Sequence, residues 1–213
     1  KLWHTRIFRG LFLLSTKNLR LHSVNDCNNF IEGWYMNDTT LCDEIIDYSL
    51  SSPNRHSGKI LGENGKPVVN KEIKDSMDSV LNHNVPLCTK YMNWLGRILH
   101  EYRLKYDVLE TYEFIDIEPV NIQHYPAGGG YPMWHNERIN GTFPYCNRYL
   151  VFTTYLNTVE DQGGTAFKYQ DLTIKAEKGL TMIWPSDFPF THRGVISPTE
   201  EKFIVTGWIH VKE

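Results

Sequence analysis

Lys202-Phe203-Ile204-Val205-Thr206-Gly207-Trp208-Ile209 reads as a β-strand in period two. Alternation puts Lys202, Ile204, Thr206 and Trp208 on one face and Phe203, Val205 and Ile209 on the other. Both faces are largely apolar, so the strand is expected to be covered on both sides. An ammonium group in such a strand is costly unless an anion meets it, and the anion expected here is a ligand carboxylate. The opposing reading has Lys202, following Glu200-Glu201, simply start the strand in water. The two readings weigh equally on these residues alone.

Outward from this strand, the chain from about residue 112 breaks into short β-rich runs separated by Gly, Pro, Asn and Asp. Candidate strands are 117–125, 147–157, 164–169, 180–184, 191–196 and 202–211. Many short strands so spaced indicate a sandwich or barrel. The first half carries helical signals. Thr39/Thr40 offer an N-cap before Leu41, Ile45, Ile46 and Leu50, in a helix that ends before Pro53. A longer helix fits 87–105, with Pro86 at its start and Leu87, Tyr91, Leu95, Ile98, Leu99 and Tyr102 at steps of three and four. Residues 54–85 read as loops and short strands. The fold class is therefore mainly β with supporting helices. The change near residue 110 separates layers of a single domain over 1–213, with helical support over 39–110.

The 213 residues carry 22 Lys+Arg against 25 Asp+Glu, with 41% apolar residues. A chain of this length can bury a core without metal or disulfide staples, so a metal here would serve chemistry. Near-balanced charge without a basic block argues against nucleic acid or an anionic membrane as partner. No apolar stretch approaches the roughly 18 residues that span a bilayer, and the Leu11–Leu14 run is too short for a signal peptide. Cys27, Cys42, Cys88 and Cys146 lack CxxC pairing, which fits reduced thiols and an intracellular, cytoplasmic setting. A secretory leader trimmed ahead of Lys1 stays open, and oligomeric state is not legible.

The sharpest local feature is His135-Asn136-Glu137. In extended backbone residues i and i+2 project to one side, so one imidazole and one carboxylate can grip one cation. Alone, His-x-Glu arises by chance, and a solvated loop pair is its commoner meaning. A second histidine, His192, lies in the candidate strand 191–196. Two imidazoles and a carboxylate form a facial triad that leaves adjacent positions open on a non-haem iron, and zinc accepts the same set with water. The ligand set does not choose between the metals.

His135-x-Glu137, His192 and Lys202, in that order, resemble the Fe(II)/2-oxoglutarate-dependent dioxygenases, specifically the prolyl 4-hydroxylase-like branch. Tyr125 ahead of the first histidine, Arg148 to Asn157, Gly163-Gly164-Thr165-Ala166-Phe167, Gly179 to Ser186 and Trp208 add to the likeness, which covers about 117–210. The resemblance implies a double-stranded β-helix (jelly-roll) core over about 112–213. His135, Glu137 and His192 would ligate Fe(II), and Lys202 would pair with the distal carboxylate of 2-oxoglutarate. Tyr125 would line the cofactor pocket. Thr154 would hydrogen-bond the same carboxylate, unless a one-residue shift of register turns it away.

The family usually has His-x-Asp. Glu137 is one methylene longer, so its carboxylate must fold back or its backbone sit further off. Retention of an acid at this position favours hydroxylation over halogenation. The implied reaction uses O₂ as cosubstrate, converts 2-oxoglutarate to succinate and CO₂, and hydroxylates an unactivated C–H, with ascorbate as an accessory reductant. Peptidyl proline is the leading substrate, and a free amino acid or small metabolite is the alternative. Tyr131, Trp134, Arg138 and Trp208 are candidate substrate contacts, under a lip formed by 127–133, 51–70 and 138–146. Outside this reading stand a nucleic-acid demethylase, disfavoured because Trp208 follows Lys202 where such enzymes carry arginines, and a non-catalytic cupin-like protein holding zinc.

Overall fold

A computed structural model describes residues 19–22, 29–62, 65–115 and 118–212. Cys27, the Leu11–Leu14 run and residue 117 of the first candidate strand lie outside the described residues. The expected helices are Thr40–Ser51 (α1) and Pro86–Lys105 (α2). Pro86 opens α2, where its missing N–H removes no helical bond. Cys88, Tyr91, Leu95, Ile98, Leu99 and Tyr102 form the buried face of α2. Neither threonine caps α1 through its side chain. The Asp38 carboxylate instead accepts the Thr40 amide at 2.9 Å and the Thr40 hydroxyl at 2.7 Å.

Among the described residues nine strands make the large antiparallel sheet. Its order runs Arg20–His22, Glu32–Tyr35, Leu180–Pro185, Arg148–Tyr155, Lys202–Val211, Val120–Tyr125, Met77–Leu81, His56–Ser57, and Phe114–Ile115 also pairs with Lys202–Val211. A smaller sheet of Leu172–Ile174, Thr165–Phe167 and His192–Gly194 faces it. Two sheets with helices outside the larger one are the expected jelly-roll arrangement. The Glu32–Tyr35 and Met77–Leu81 strands extend the large sheet with residues from the first half of the chain.

The alternation of 202–209 explains the two cores. Phe203, Val205 and Ile209 join Ile122, Leu150, Phe152 and the buried face of α2 in one cluster. Val151, Tyr155, Met182 and Trp184 meet Phe167 and Ile174 of the small sheet in the other, with Ile204 and Trp208 packed against it. A cavity of about 440 Å³ opens between the sheets. In the Arg148–Tyr155 strand, Val151, Thr153 and Tyr155 face that cavity.

This register corrects the expectation for Thr154. It points to the helical layer, where its hydroxyl lies 2.8 Å from Tyr91 Oη and 2.8 Å from the Thr181 hydroxyl, and Trp94 Nε1 donates to Thr181. The residue is fully buried. Its work is to satisfy polar groups between α2 and the sheet. Thr154→Val, which strands these partners, is expected to lower unfolding free energy by about 1–3 kcal/mol in urea titrations. The affinity for 2-oxoglutarate should stay at the wild-type value.

Candidate active site

His135 lies outside the named strands but bridges to His192 by reciprocal backbone hydrogen bonds of 3.0 and 2.9 Å. The bridge fixes both rings at the cavity mouth, with centroids 4.4 Å apart. Each ring also uses Nδ1 on a backbone carbonyl two residues earlier. His135 Nδ1 is 2.9 Å from Met133 O, and His192 Nδ1 is 2.9 Å from Phe190 O. A carbonyl only accepts, so Nδ1 carries the proton and Nε2 presents a lone pair.

Both Nε2 atoms face Glu137 Oε1, at 3.4 and 3.6 Å. Ligand atoms of the three residues lie within 4.8 Å of one another. Two lone pairs aimed at a carboxylate repel unless a cation sits among them, so the donor chemistry fits a metal ion. Burial by itself would raise the Glu137 carboxyl, but positive charge on the two imidazoles beside it holds it well below the ordinary carboxylate range, and a metal ion among the three would take the place of that charge. Burial lowers His192, with His135 adding to the effect.

Lys202 is 5% exposed and lines the same cavity. Its partner across the sheet is Tyr125, and Nζ lies 5.1 Å from that ring's centroid. Nζ donates to Gly163 O at 2.7 Å and to Val195 O at 3.3 Å. Among the described residues no carboxylate pairs with it, and burial lowers its pKa to about 8. Gly163 is required where it stands: its φ is +71°, and an added Cβ would lie 2.5 Å from Val159. A cation held only by neutral carbonyls, in a cavity that also holds a metal-type donor set, has the charge and the burial that suit an anionic ligand.

Tyr125 and Tyr131 line the cavity, and Tyr131 stacks on His135 at 4.3 Å. Trp208 lines it too, beneath the Arg148 guanidinium at 3.5 Å. Trp134 and Arg138 lie outside the cavity lining, contrary to expectation. Both lie in irregular chain around the isolated bridge at His135, where no strand pairing fixes which side chains face inward. Trp134 is 37% exposed and carries Arg193 at 4.5 Å, and Arg138 pairs with Asp187 at 3.3 Å. Ile60, Leu61 and Pro67 from the 51–70 stretch, and Ile139 and Tyr145 from 138–146, help line the cavity, as the lip reading expected. Sequence reasoning passed over Tyr155, whose hydroxyl lies 2.6 Å from the Thr165 hydroxyl in the cavity wall. The signal was available, since Tyr155 shares parity with Val151 on the strand.

Residues 120–210 match the family model of the 2OG-Fe(II) oxygenase superfamily. The chain thus carries an oxygenase domain that matches this superfamily over the stretch from Val120 to His210. It is a 2-oxoglutarate-dependent dioxygenase, a class that uses Fe(II), 2-oxoglutarate and O₂. No curated protein matches the oxygenase by sequence. Among solved structures, a viral collagen prolyl hydroxylase from Paramecium bursaria Chlorella virus-1, in its 2-oxoglutarate complex, superposes with TM-score 0.64 at 18% identity, over 88% of this chain and 100% of that one. A Pseudomonas putida prolyl-4-hydroxylase gives 0.65 at 14% identity, over 86% and 94%. A Trichoplax adhaerens prolyl hydroxylase, in complex with a hypoxia inducible factor oxygen degradation domain peptide fragment, gives 0.67 at 14%, over 96% and 90%. At such identities the likeness speaks for the fold.

The Lys202 pKa, about 8 in the fold against an ordinary 10.5, fixes two signs. The burial penalty is complete below pH 8 and is relieved as pH rises toward 10.5, so the ligand-free oxygenase should gain stability across that window. Lys202→Met should stabilise the ligand-free protein below pH 8 by up to about 3 kcal/mol in denaturant melts and remove this pH dependence. The same substitution should abolish 2-oxoglutarate binding. In the wild type, 2-oxoglutarate affinity should fall as pH passes 8, and calorimetry in two buffers should show proton uptake on binding.

Proposed function

We propose that this oxygenase hydroxylates peptidyl proline, with His135, Glu137 and His192 holding Fe(II), and with Lys202 and Tyr125 in the 2-oxoglutarate pocket. The observation that carries the reading is one cavity in which two imidazole lone pairs meet a carboxylate, beside a buried ammonium that no carboxylate among the described residues neutralises. When bound, iron and 2-oxoglutarate supply the oxidant from O₂, with succinate and CO₂ as coproducts.

The chain's own contribution is orientation, charge and exclusion of water. The Nδ1 bonds to Met133 O and Phe190 O hold both rings in the tautomer that can donate to iron. Trp184 and Phe167 pack against His192 at 5.1 and 5.8 Å, an apolar wall behind the ligand. The Lys202 charge matches the remote carboxylate of 2-oxoglutarate and so sets the cosubstrate's direction in the pocket. Proline hydroxylation by relatives of the same fold, one named for collagen and one bound to a peptide, supports an extended peptide as substrate. Tyr131, Tyr145 and Trp208 give the mouth an aromatic surface suited to such a chain.

Anaerobic Fe(II) and 2-oxoglutarate together should produce a weak visible charge-transfer band, and neither alone should. A panel of proline-containing peptides, run beside free proline, should give peptide-dependent succinate release and a product heavier by one oxygen atom. His135→Ala and His192→Ala should lose iron and turnover while still folding. A wild-type protein without the band would overturn the iron and 2-oxoglutarate assignment. Succinate release driven by free amino acids but by none of the peptides would overturn the substrate assignment.

A further inference from the structure

Arg148, at the start of the central Arg148–Tyr155 strand, is held on every side. It is 6% exposed. Nε and Nη2 make paired 2.6 Å bonds to Glu118 Oε1 and Oε2, and Nη1 donates to Glu137 Oε2 at 3.1 Å and to the Glu137 carbonyl at 3.2 Å. The guanidinium lies 3.5 Å over Trp208 and 4.7 Å over Tyr145. Glu118 in turn accepts from Nε2 of the fully buried His210 at 3.0 Å.

The two Glu137 oxygens therefore have different environments. Oε1 faces both imidazoles, and Oε2 is taken by the guanidinium. A glutamate has one more rotatable bond than an aspartate, and fixing it in a ligand geometry costs more conformational entropy. A planar guanidinium gripped in paired fashion by a second carboxylate cannot swing, so it defines where Oε2 must lie. Glu118 also offsets the Arg148 charge, which alone would repel a divalent ion close to Glu137.

We propose that Glu118 and Arg148 are positioning residues that hold Oε2 of Glu137 and present Oε1 alone to the metal, so that the longer carboxylate serves as a one-oxygen ligand. This rests on the iron-site reading above, and the test separates the two.

Co(II) binding under argon, followed by calorimetry and by the visible ligand-field bands, reads the site without turnover. Glu118→Gln keeps the shape of the side chain and removes its charge. It should unfold cooperatively, bind Co(II) about 10- to 100-fold more weakly, and show altered band intensities at saturation. Because Glu118 acts through Arg148, the double variant Glu118→Gln/Arg148→Lys should bind Co(II) no more weakly than Arg148→Lys alone. A merely structural role would lower stability without this non-additivity. Folded Glu118→Gln with Co(II) affinity within about twofold of wild type would overturn the proposal, as would additive losses in the double variant. Should Glu118→Gln fail to fold, Glu118→Asp, which keeps the charge and shortens the reach, takes its place with the same outcomes. A wild-type protein that binds no Co(II) would bring down the iron-site reading, and this inference with it.

Discussion

Two imidazole rings that turn their protons to backbone carbonyls and their lone pairs to one carboxylate are the constraint on which the rest depends. The reciprocal backbone bridge between His135 and His192 makes it, and the bridge exists because the small sheet closes over the large one at that edge. The Nδ1 atoms are bound to the carbonyls of Met133 and Phe190, so a proton or a metal ion at Nε2 is what satisfies Glu137. The local electrostatics then favour a cation more than any rearrangement of the side chains themselves. The fold determines the charge of its ligand before any ligand arrives.

Lys202 extends the same logic to the other end of the cavity. Its ammonium is stable enough to persist on two carbonyls, but burial has already moved its pKa to about 8. The ligand-free protein therefore holds an unfavourable charge that an incoming carboxylate, on the proposed reading, would relieve. Stability given up without ligand becomes affinity with it, a common exchange at functional sites. The strand geometry makes this local, because Lys202 pairs with Tyr125 across the sheet and projects to the cavity with Ile204, Thr206 and Trp208.

The His-x-Glu spacing, where the family usually has aspartate, finds a physical setting in Arg148. Trp208, read from sequence as a substrate contact, lies beneath that guanidinium and helps to hold it. The same tryptophan lines the cavity, so the outer wall of the site and the support of its carboxylate are one structure.

The amino-acid sequence alone indicated the fold class and the two principal helices, and the family resemblance singled out His135, Glu137, His192 and Lys202, while the side to which Lys202 turns stayed an even choice. These rest on period, on residue chemistry and on the order of motifs, all of which are local or ordinal properties of a chain. Tertiary structure decided the rest. Parity along 148–155 is fixed only once a neighbouring strand sets the register, and it sent Thr154 to the helices and Tyr155 to the cavity. Trp134 and Arg138 lie in irregular chain, where contacts with Arg193 and Asp187 hold them away from the cavity. The link from His210 through Glu118 and Arg148 to Glu137 joins residues far apart in the chain, with no periodicity to announce it. Such contacts depend on where separate strands come to lie in the packed sheet, and the order of residues along one chain does not state that.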